Sequence, residues 1–417
     1  MHEQNRLYYF INEIMVIWYL SKYASPEKYS FGTRHFYLGK EWVKNGYEVI
    51  IFASNQNHIA DKLPQFKGKY FREDIEGVNT IWLNTPKAKK STGLSRIFGW
   101  FHFEWQLFSV SKKGISKPDV VIASSLSLLT VINAYLFSKR YGAKFIFEVR
   151  DIWPLSAIEL GGYSKFNPFI ILLSIIEKFG YKKAKAIIGT IPNLGEHVQN
   201  IIGSGEKCFC IPQGLSLDFY KESQRISQDY VESYIPKNKF IVGYAGTINT
   251  NNPLETLIDA ANILQDHADI HFLIVGKGDM KEKLINKSKH LENVSFPPVV
   301  DKKQVNNLLQ FVNVCYDSFS SNLAKYGLSR NKWIDYMYAA KPIICSYSGF
   351  QSMVNEANSG SFVEYGNAQV LVEEILKYSR MSKQQLEEIG TNGKNFLIEN
   401  RTFDKLALQY QQIIESL

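Results

Sequence analysis

Phe240-Ile-Val-Gly-Tyr-Ala245, Pro253-Leu-Glu-Thr-Leu-Ile-Asp-Ala-Ala-Asn-Ile-Leu264 and Ile270-His-Phe-Leu-Ile-Val275 follow one another in the chain. The outer two are short, mostly apolar runs, and the middle one has a helix-length pattern that opens at a proline. A run of four to eight apolar residues reads as a strand covered on both faces. Two such strands with a helix between them make a parallel β-α-β unit. The alternation continues with helix 279–289, strand 294–296, helix 302–311, strand 313–316, helix 331–340 and strands 342–346 and 361–363.

Upstream the same grammar holds. Strands are expected at 15–20, 48–53, 80–83, 119–124, 144–149, 186–190 and 208–211, with helices 33–45, 127–141 and 168–183 among them. A polar stretch, 221–239, separates the two series. A chain of 417 residues exceeds one ordinary core. The fold class is therefore α/β, with two Rossmann-like doubly wound parallel-sheet domains, 1–212 and 213–399, facing a central cleft. Ligands of such sheets sit at the carboxyl ends of the strands.

Composition narrows the partners. Hydrophobic residues at 45% and charged residues at 21% argue against disorder. Aromatic residues reach 14%, a surplus that cores absorb by default and that sugar sites or membrane-facing surfaces also use. Residues 1–200 carry 26 Lys+Arg against 16 Asp+Glu, a balance of +10, whereas the remainder stands at −2. This asymmetry points to an anionic partner for the first half, and with no dense basic run interleaved with aromatics, a membrane leaflet fits better than nucleic acid. Cys208, Cys210, Cys315 and Cys345 lack metal-ligand spacing and read as reduced thiols of a cytoplasmic protein. No secretory signal is evident, and the longest apolar run, 169–176, is far below the roughly 20 residues that cross a bilayer. Met15 opens the first strand, so residues 1–14 read as an extension or an upstream start.

Four blocks carry chemistry. In Tyr326-Gly-Leu-Ser-Arg-Asn-Lys-Trp-Ile-Asp-Tyr-Met-Tyr-Ala-Ala-Lys-Pro-Ile-Ile344, Ser329 and Asn331 are suitable N-caps, and a helix start offers amide donors and a positive dipole end to an anion, with Lys332 adding a charge. The plain alternative is a capped helix with a surface lysine. In Val242-Gly-Tyr-Ala-Gly-Thr-Ile248, Gly246-Thr247 lets backbone approach a phosphate, or simply turns a strand into a helix. Phe272-Leu-Ile-Val-Gly-Lys-Gly-Asp279 is half a dinucleotide fingerprint without its third glycine, and no phosphate loop of the Gly-Lys-Ser/Thr type occurs. Phe145-Ile-Phe-Glu-Val-Arg-Asp-Ile-Trp-Pro154 is an apolar strand that ends in charges, either a reaction site or an Arg–Asp pair that ties a loop.

In this order the blocks resemble glycosyltransferase family four, retaining enzymes with the GT-B fold, and within it the capsule and O-antigen branch that includes N-acetyl-L-fucosamine transferases. Trp18-Tyr-Leu-Ser-Lys-Tyr-Ala-Ser-Pro26, Gly32-Thr-Arg-His35, Asn45-Gly-Tyr-Glu-Val49, Ala186-Ile-Ile-Gly-Thr190, Ile211-Pro-Gln-Gly-Leu215 with Asp218, and the helix from Asp335 to Pro342 carry the likeness, which covers nearly the whole chain. The resemblance implies a nucleotide-sugar donor, UDP-linked by default and N-acetylated among the options, and a lipid-linked oligosaccharide acceptor in bacterial O-antigen or capsule-type polysaccharide synthesis. It implies donor contacts at Gly32, Arg34, Gly246, Thr247, Lys277, Val299, Ser329, Arg330, Asn331, Lys332 and Asp335, and acceptor contacts at Glu148, Trp153 and Glu159. Arg150 and Asp151 stand where many relatives use a histidine, so Asp151 is expected to bind substrate hydroxyls or take the acceptor's proton. The last helix, about 400–417, is expected to pack back on the first domain.

Two departures stand out. Many relatives place two glutamates eight positions apart where this chain has Gly327 and Asp335, and they carry cations after the first donor-domain strand where this chain reads Gly246-Thr-Ile-Asn-Thr-Asn-Asn252. No Asp-x-Asp metal pair replaces those cations, so no metal is expected and no cofactor beyond the co-substrate. A departing diphosphate still needs its charge met. Lys332 with the helix start, Lys277, and Arg34 from the other domain are the expected substitutes.

Residues 94–108 with Lys112-Lys113, and 166–176 with Lys178 and Lys182-Lys183, place apolar residues beside lysines, which suits helices lying in the plane of the cytoplasmic membrane's inner face. Core helices are the competing reading. A nucleotide-sugar 2-epimerase of the same architecture and a non-catalytic partner subunit are the alternatives in function; nucleic-acid binding has no stacking motif behind it.

Overall fold

A computed structural model describes residues 14–29, 32–56, 60, 62–86, 94–125 and 127–417, except for the side chains of Leu94 and Arg96. Apart from Ile14, the extension expected at 1–14 lies outside the described residues. The first sheet comprises β1 (Val16–Leu20), β2 (Glu48–Ser54), β3 (Tyr70–Ile75), β4 (Val78–Leu83), β5 (Val120–Ser124), β6 (Lys144–Val149), β7 (Ala186–Gly189) and β8 (Cys208–Cys210). Its order is β3-β4-β2-β1-β5-β6-β7-β8. Every residue of β1 and of β5 is buried, which is why both read as unbroken apolar runs. β1 pairs in parallel with β2 and β5, and the direction of strand addition reverses between β1 and β5.

β3 escaped the sequence reading. Tyr-Phe-Arg-Glu-Asp-Ile shows only a partial alternation, and it runs antiparallel to β4 through the two-residue turn Glu76-Gly77. Edge strands face water and carry charge, so periodicity marks them weakly.

The second sheet comprises β9 (Phe240–Ala245), β10 (Ile270–Val275), β11 (Val294–Ser295), β12 (Val314–Ser318), β13 (Ile343–Ser346) and β14 (Gly360–Val363), ordered β11-β10-β9-β12-β13-β14. All five pairings are parallel. Val242, Phe272, Val314 and Ile344 from its strands meet Leu257, Ile258, Leu371 and Ile375 in one buried cluster, each side chain contributing roughly 1.5–3 kcal/mol of burial. Strand addition reverses between β9 and β12, which makes their carboxyl ends the switch point where a parallel sheet opens a crevice. The helix expected at 302–311 divides into a 3₁₀ turn, Lys302–Gln304, and a short helix, Val305–Leu309.

The sheets change between β8 and β9, where the expected 1–212 and 213–399 divide, and by packing the chain forms two compact units, Met1–Ile146 and Phe147–Leu417. Hydrogen bonds join the later part of the first sheet to the rest of the second unit. Tyr410 Oη, on the C-terminal helix Phe403–Ser416, donates to the buried Glu148 of β6 at 2.5 Å, and the amide of Asn193 reaches the Tyr326 carbonyl at 2.9 Å.

Candidate active site

At the end of β9 the chain turns at Gly246. Its amide bonds the Val275 carbonyl at 3.0 Å, and the Ile248 amide bonds the Lys277 carbonyl at 2.9 Å, so this turn lies against the Gly276-Lys277-Gly278 loop after β10. A Cβ at position 276 would fall 1.9 Å from the Gly246 carbonyl oxygen. Glycine there permits loop-on-loop packing, a reason unrelated to any phosphate. Thr247 is exposed, and its carbonyl accepts from Tyr244 Oη at 2.5 Å and from Asn252 Nδ2 at 3.1 Å. The Lys277 side chain is exposed.

Helix Asn331–Tyr338 begins beside this turn. Its N-cap is Arg330, in extended conformation and without a side-chain cap bond, so the expected caps at Ser329 and Asn331 are corrected. Ser329 Oγ instead accepts the Gln213 amide at 3.0 Å, and Asn331 is an exposed first-turn residue. Lys332 Nζ lies 2.9 Å from Asp317 Oδ1 at the end of β12, 2.9 Å from Tyr244 Oη and 3.2 Å from Asn252 Oδ1. Arg330 Nε meets Asp317 Oδ2 at 2.8 Å, its terminal nitrogen also bonds Asn252, and the guanidinium sits 5.5 Å from the Phe319 ring. The Lys332 side chain approaches Gly246, its Cε 3.4 Å from where a Cβ would stand.

These side chains are nearly buried. Burial pushes the Lys332 amine down to about 8, the Arg330 charge acts in the same direction, and Asp317 pulls it back up. Lys332 is therefore not the surface lysine of the plain alternative: it shares one carboxylate with Arg330, leaving the trio at about +1. Asp317, Tyr244 and Asn252 were not anticipated. Asp317 carried the same signal as Glu148 and Arg150, a charge at the end of an apolar strand, but the predicted strand stopped at Tyr316. Among the described residues, no group of three His, Cys, Asp or Glu could hold a metal ion.

Asp335 was expected to contact the donor. Its buried carboxylate is instead held by Lys302 on both oxygens and by Tyr220 Oη at 2.6 Å, with the Tyr220 ring tilted at 35° to that of Tyr338, centroids 4.3 Å apart. In this structure those oxygens face protein donors. Val299 is exposed in the loop after β11.

Gly327 stands where the resemblance implies a glutamate. Its φ of 88° is left-handed, and a Cβ would lie 2.4 Å from Pro192 Cγ, so the position admits no side chain. Nearby, a cavity of about 400 Å³ is lined by Glu159, Ser321, Asn322, Lys325, Ser348 and Gly349. Asn322 Nδ2 donates to Glu159 Oε2 at 3.1 Å. A second cavity of about 280 Å³ shares Ser348 and Gly349 and continues to Tyr347, Asn355 and Glu364. Both are lined by Ser348 and Gly349 after β13, and neither lining includes Gly246, Asp317, Arg330 or Lys332.

The β6 block resolves into separate parts. Glu148, expected to contact the acceptor, is fully buried and accepts from Tyr410 Oη. Asp151 accepts from Trp153 Nε1 at 3.2 Å and from Ser156 Oγ, so Trp153 spends its one donor on the loop. Burial raises the Asp151 carboxyl, while these donors oppose the rise. Arg150 is half-buried, and its carbonyl accepts from Thr190 Oγ1 at 3.3 Å.

Gly32 and Arg34 belong to the first unit. Arg34 is buried as the first residue of helix Arg34–Lys44. His35 beside it bridges Thr33 Oγ1 at 3.1 Å and Ser124 Oγ of β5 at 3.0 Å, at the first sheet's switch point. A Cβ on Gly32 would lie 2.5 Å from Tyr37 Oη.

Residues 227–396 match the family model for glycosyl transferases group 1. WcaI of Escherichia coli K12, named for colanic acid biosynthesis and glycosyl transfer, is 25% identical over 291 residues, covering 66% of this chain and 69% of WcaI. Sucrose-phosphate synthase from Thermosynechococcus elongatus shares the fold with a TM-score of 0.72 at 17% identity, over 96% of this chain and 98% of its own. HepE of Anabaena, solved with UDP and glucose, aligns with a TM-score of 0.63 at 12% identity, over 97% and 100%. The parallel sheet with its built cationic switch point lies in a domain that matches glycosyl transferases group 1, and the chain shares the GT-B fold of the glycosyltransferase structures it resembles.

Proposed function

We propose that the enzyme transfers a sugar, with retention of anomeric configuration and without a metal, from UDP to a lipid-linked glycan in bacterial surface-polysaccharide assembly of the O-antigen or capsule type. The observation that carries this reading is the trio Arg330, Lys332 and Asp317 at the β9/β12 switch point. Two nearly buried cations share one carboxylate, so a diphosphate finds net positive charge already desolvated and oriented, next to the amides of the first turn of helix Asn331–Tyr338. HepE binds UDP and glucose, and WcaI is named for colanic acid biosynthesis; both support the donor and pathway class.

In the proposed reaction the bond between the sugar C1 and the diphosphate oxygen breaks, and the acceptor hydroxyl attacks C1 from the same face. Its proton passes to the departing phosphate oxygen or to Asp151, whose raised carboxyl suits a proton acceptor. Glu159, Asn322 and Lys325 line a cavity of pyranose scale and supply the carboxylate, amide and ammonium that sugar hydroxyls need. A lipid-linked acceptor brings the enzyme to an anionic leaflet.

Incubating the protein with UDP-sugars and a bacterial lipid extract tests this directly. Acceptor-dependent UDP release with a product of unchanged anomeric configuration is expected. A UDP-sugar epimerised at C2 without any acceptor requirement would establish the epimerase alternative and overturn the proposal.

A further inference from the structure

The helix Leu94–Ser109 in the first unit has two opposite characters. Phe98, Phe101, Trp105 and Phe108 are 61%, 46%, 67% and 55% exposed. At 100° per residue these four fall within an arc of about 80°. The other side is anchored: Trp100 Nε1 donates to Tyr23 Oη at 2.6 Å, and Phe103 and Leu107 are fully buried. Glu104 accepts from Asn133 Nδ2 at 2.7 Å and Thr130 Oγ1 at 2.5 Å, tying this helix to the next, Thr130–Tyr141. Lys112 Nζ caps the C-terminal end on the Leu107 and Val110 carbonyls at 2.5 and 2.7 Å. The aromatic face is thus fixed outward, and rotation cannot hide it without breaking those bonds.

Helix Thr130–Tyr141 repeats the pattern. Ile132 and Leu136 are exposed, and Lys139 and Arg140 follow them within about 100° of the same helical face. Lys113 is exposed beyond the end of the aromatic helix.

We infer that this face is a membrane-docking surface whose occupant is the interfacial layer of a bilayer containing anionic lipid. Four exposed aromatics, one of them a tryptophan, match the depth where aromatic rings settle between headgroups and acyl chains, and the adjoining exposed cations complement anionic headgroups. The +10 balance of residues 1–200 acts in the same sense. No described helix is long and apolar enough to cross a membrane, so contact is lateral. The inference deepens the leaflet contact proposed above, but its test does not use the transferase reaction.

The full chain is sedimented with sucrose-loaded vesicles of phosphatidylcholine alone and of phosphatidylcholine with about 30% phosphatidylglycerol. Wild type is expected to favour the anionic vesicles, and the double variant Phe101→Ser/Trp105→Ser to lose at least about tenfold in partition. Lys139→Glu/Arg140→Glu should remove only the preference for anionic lipid. UDP titration and thermal melting of both variants should match wild type, which separates loss of docking from misfolding and from failure of the donor reading. Unchanged partition of the aromatic variant overturns the inference. So does a wild-type dimer, seen by light scattering, that the aromatic variant dissociates while vesicle binding is absent.

Discussion

Lys332 illustrates how a residue can be legible while its circumstances are not. A lysine near the start of a helix in a matching motif is visible in the sequence; that Asp317, 15 positions earlier, would neutralise it is a matter of strand ends meeting in space. Its lowered amine has two consequences of opposite sign. Below about 8 the ammonium is charged and available to a diphosphate; as pH rises through 8, UDP affinity is expected to fall, by up to about tenfold per unit where Lys332 is the group titrating. Stability moves the other way. The folded amine loses its proton before the unfolded one, so this group's contribution improves between about 8 and 10.5. Calorimetric titration of UDP across that range, beside thermal melts, checks both; affinity flat through pH 8 to 9.5 would show that another group holds the donor.

Elements were read well where both faces are covered and poorly where they are not. β9 and β10 announce themselves as apolar runs, whereas the edge strand β3 does not. The loop before helix Asn331–Tyr338 was legible only as a departure from a pattern, because the reason for Gly327 lies in Pro192, far away in sequence. Gly327→Glu, the change that restores the relatives' residue, is therefore expected to harm and not to help. Left-handed backbone alone costs about 1–3 kcal/mol for such a side chain, and contact with Pro192 adds to it, lowering Tm by several degrees. A melting curve unchanged by the substitution would refute the packing described. The C-terminal helix gives a second test at this scale. Tyr410→Phe leaves the buried Glu148 without its phenol donor and should cost roughly 1–3 kcal/mol in urea unfolding, with UDP affinity unchanged. Glu148 misled the sequence reading because a carboxylate facing a helix and one facing a substrate occupy identical places in a strand pattern.

At the scale of the molecule, alternation of strand and helix made both parallel sheets predictable, and the order of motifs identified the enzyme class. The limits of the compact units could not be read in the same way, since bonds such as Tyr410 to Glu148 and the Asn193 amide to the Tyr326 carbonyl join segments distant in sequence. The whole enzyme is expected to turn over equally with and without excess chelator, because its own cations are proposed to meet the donor's charge. A nucleoside diphosphate is proposed to bind at the β9/β12 switch point through Arg330 and Lys332. Calorimetric titration of UDP into wild type and Lys332→Ala, in chelator at pH 7, tests it most directly. A loss of roughly 10- to 100-fold in affinity, the worth of one charge-assisted contact, is predicted. Equal affinity for the two proteins would contradict it.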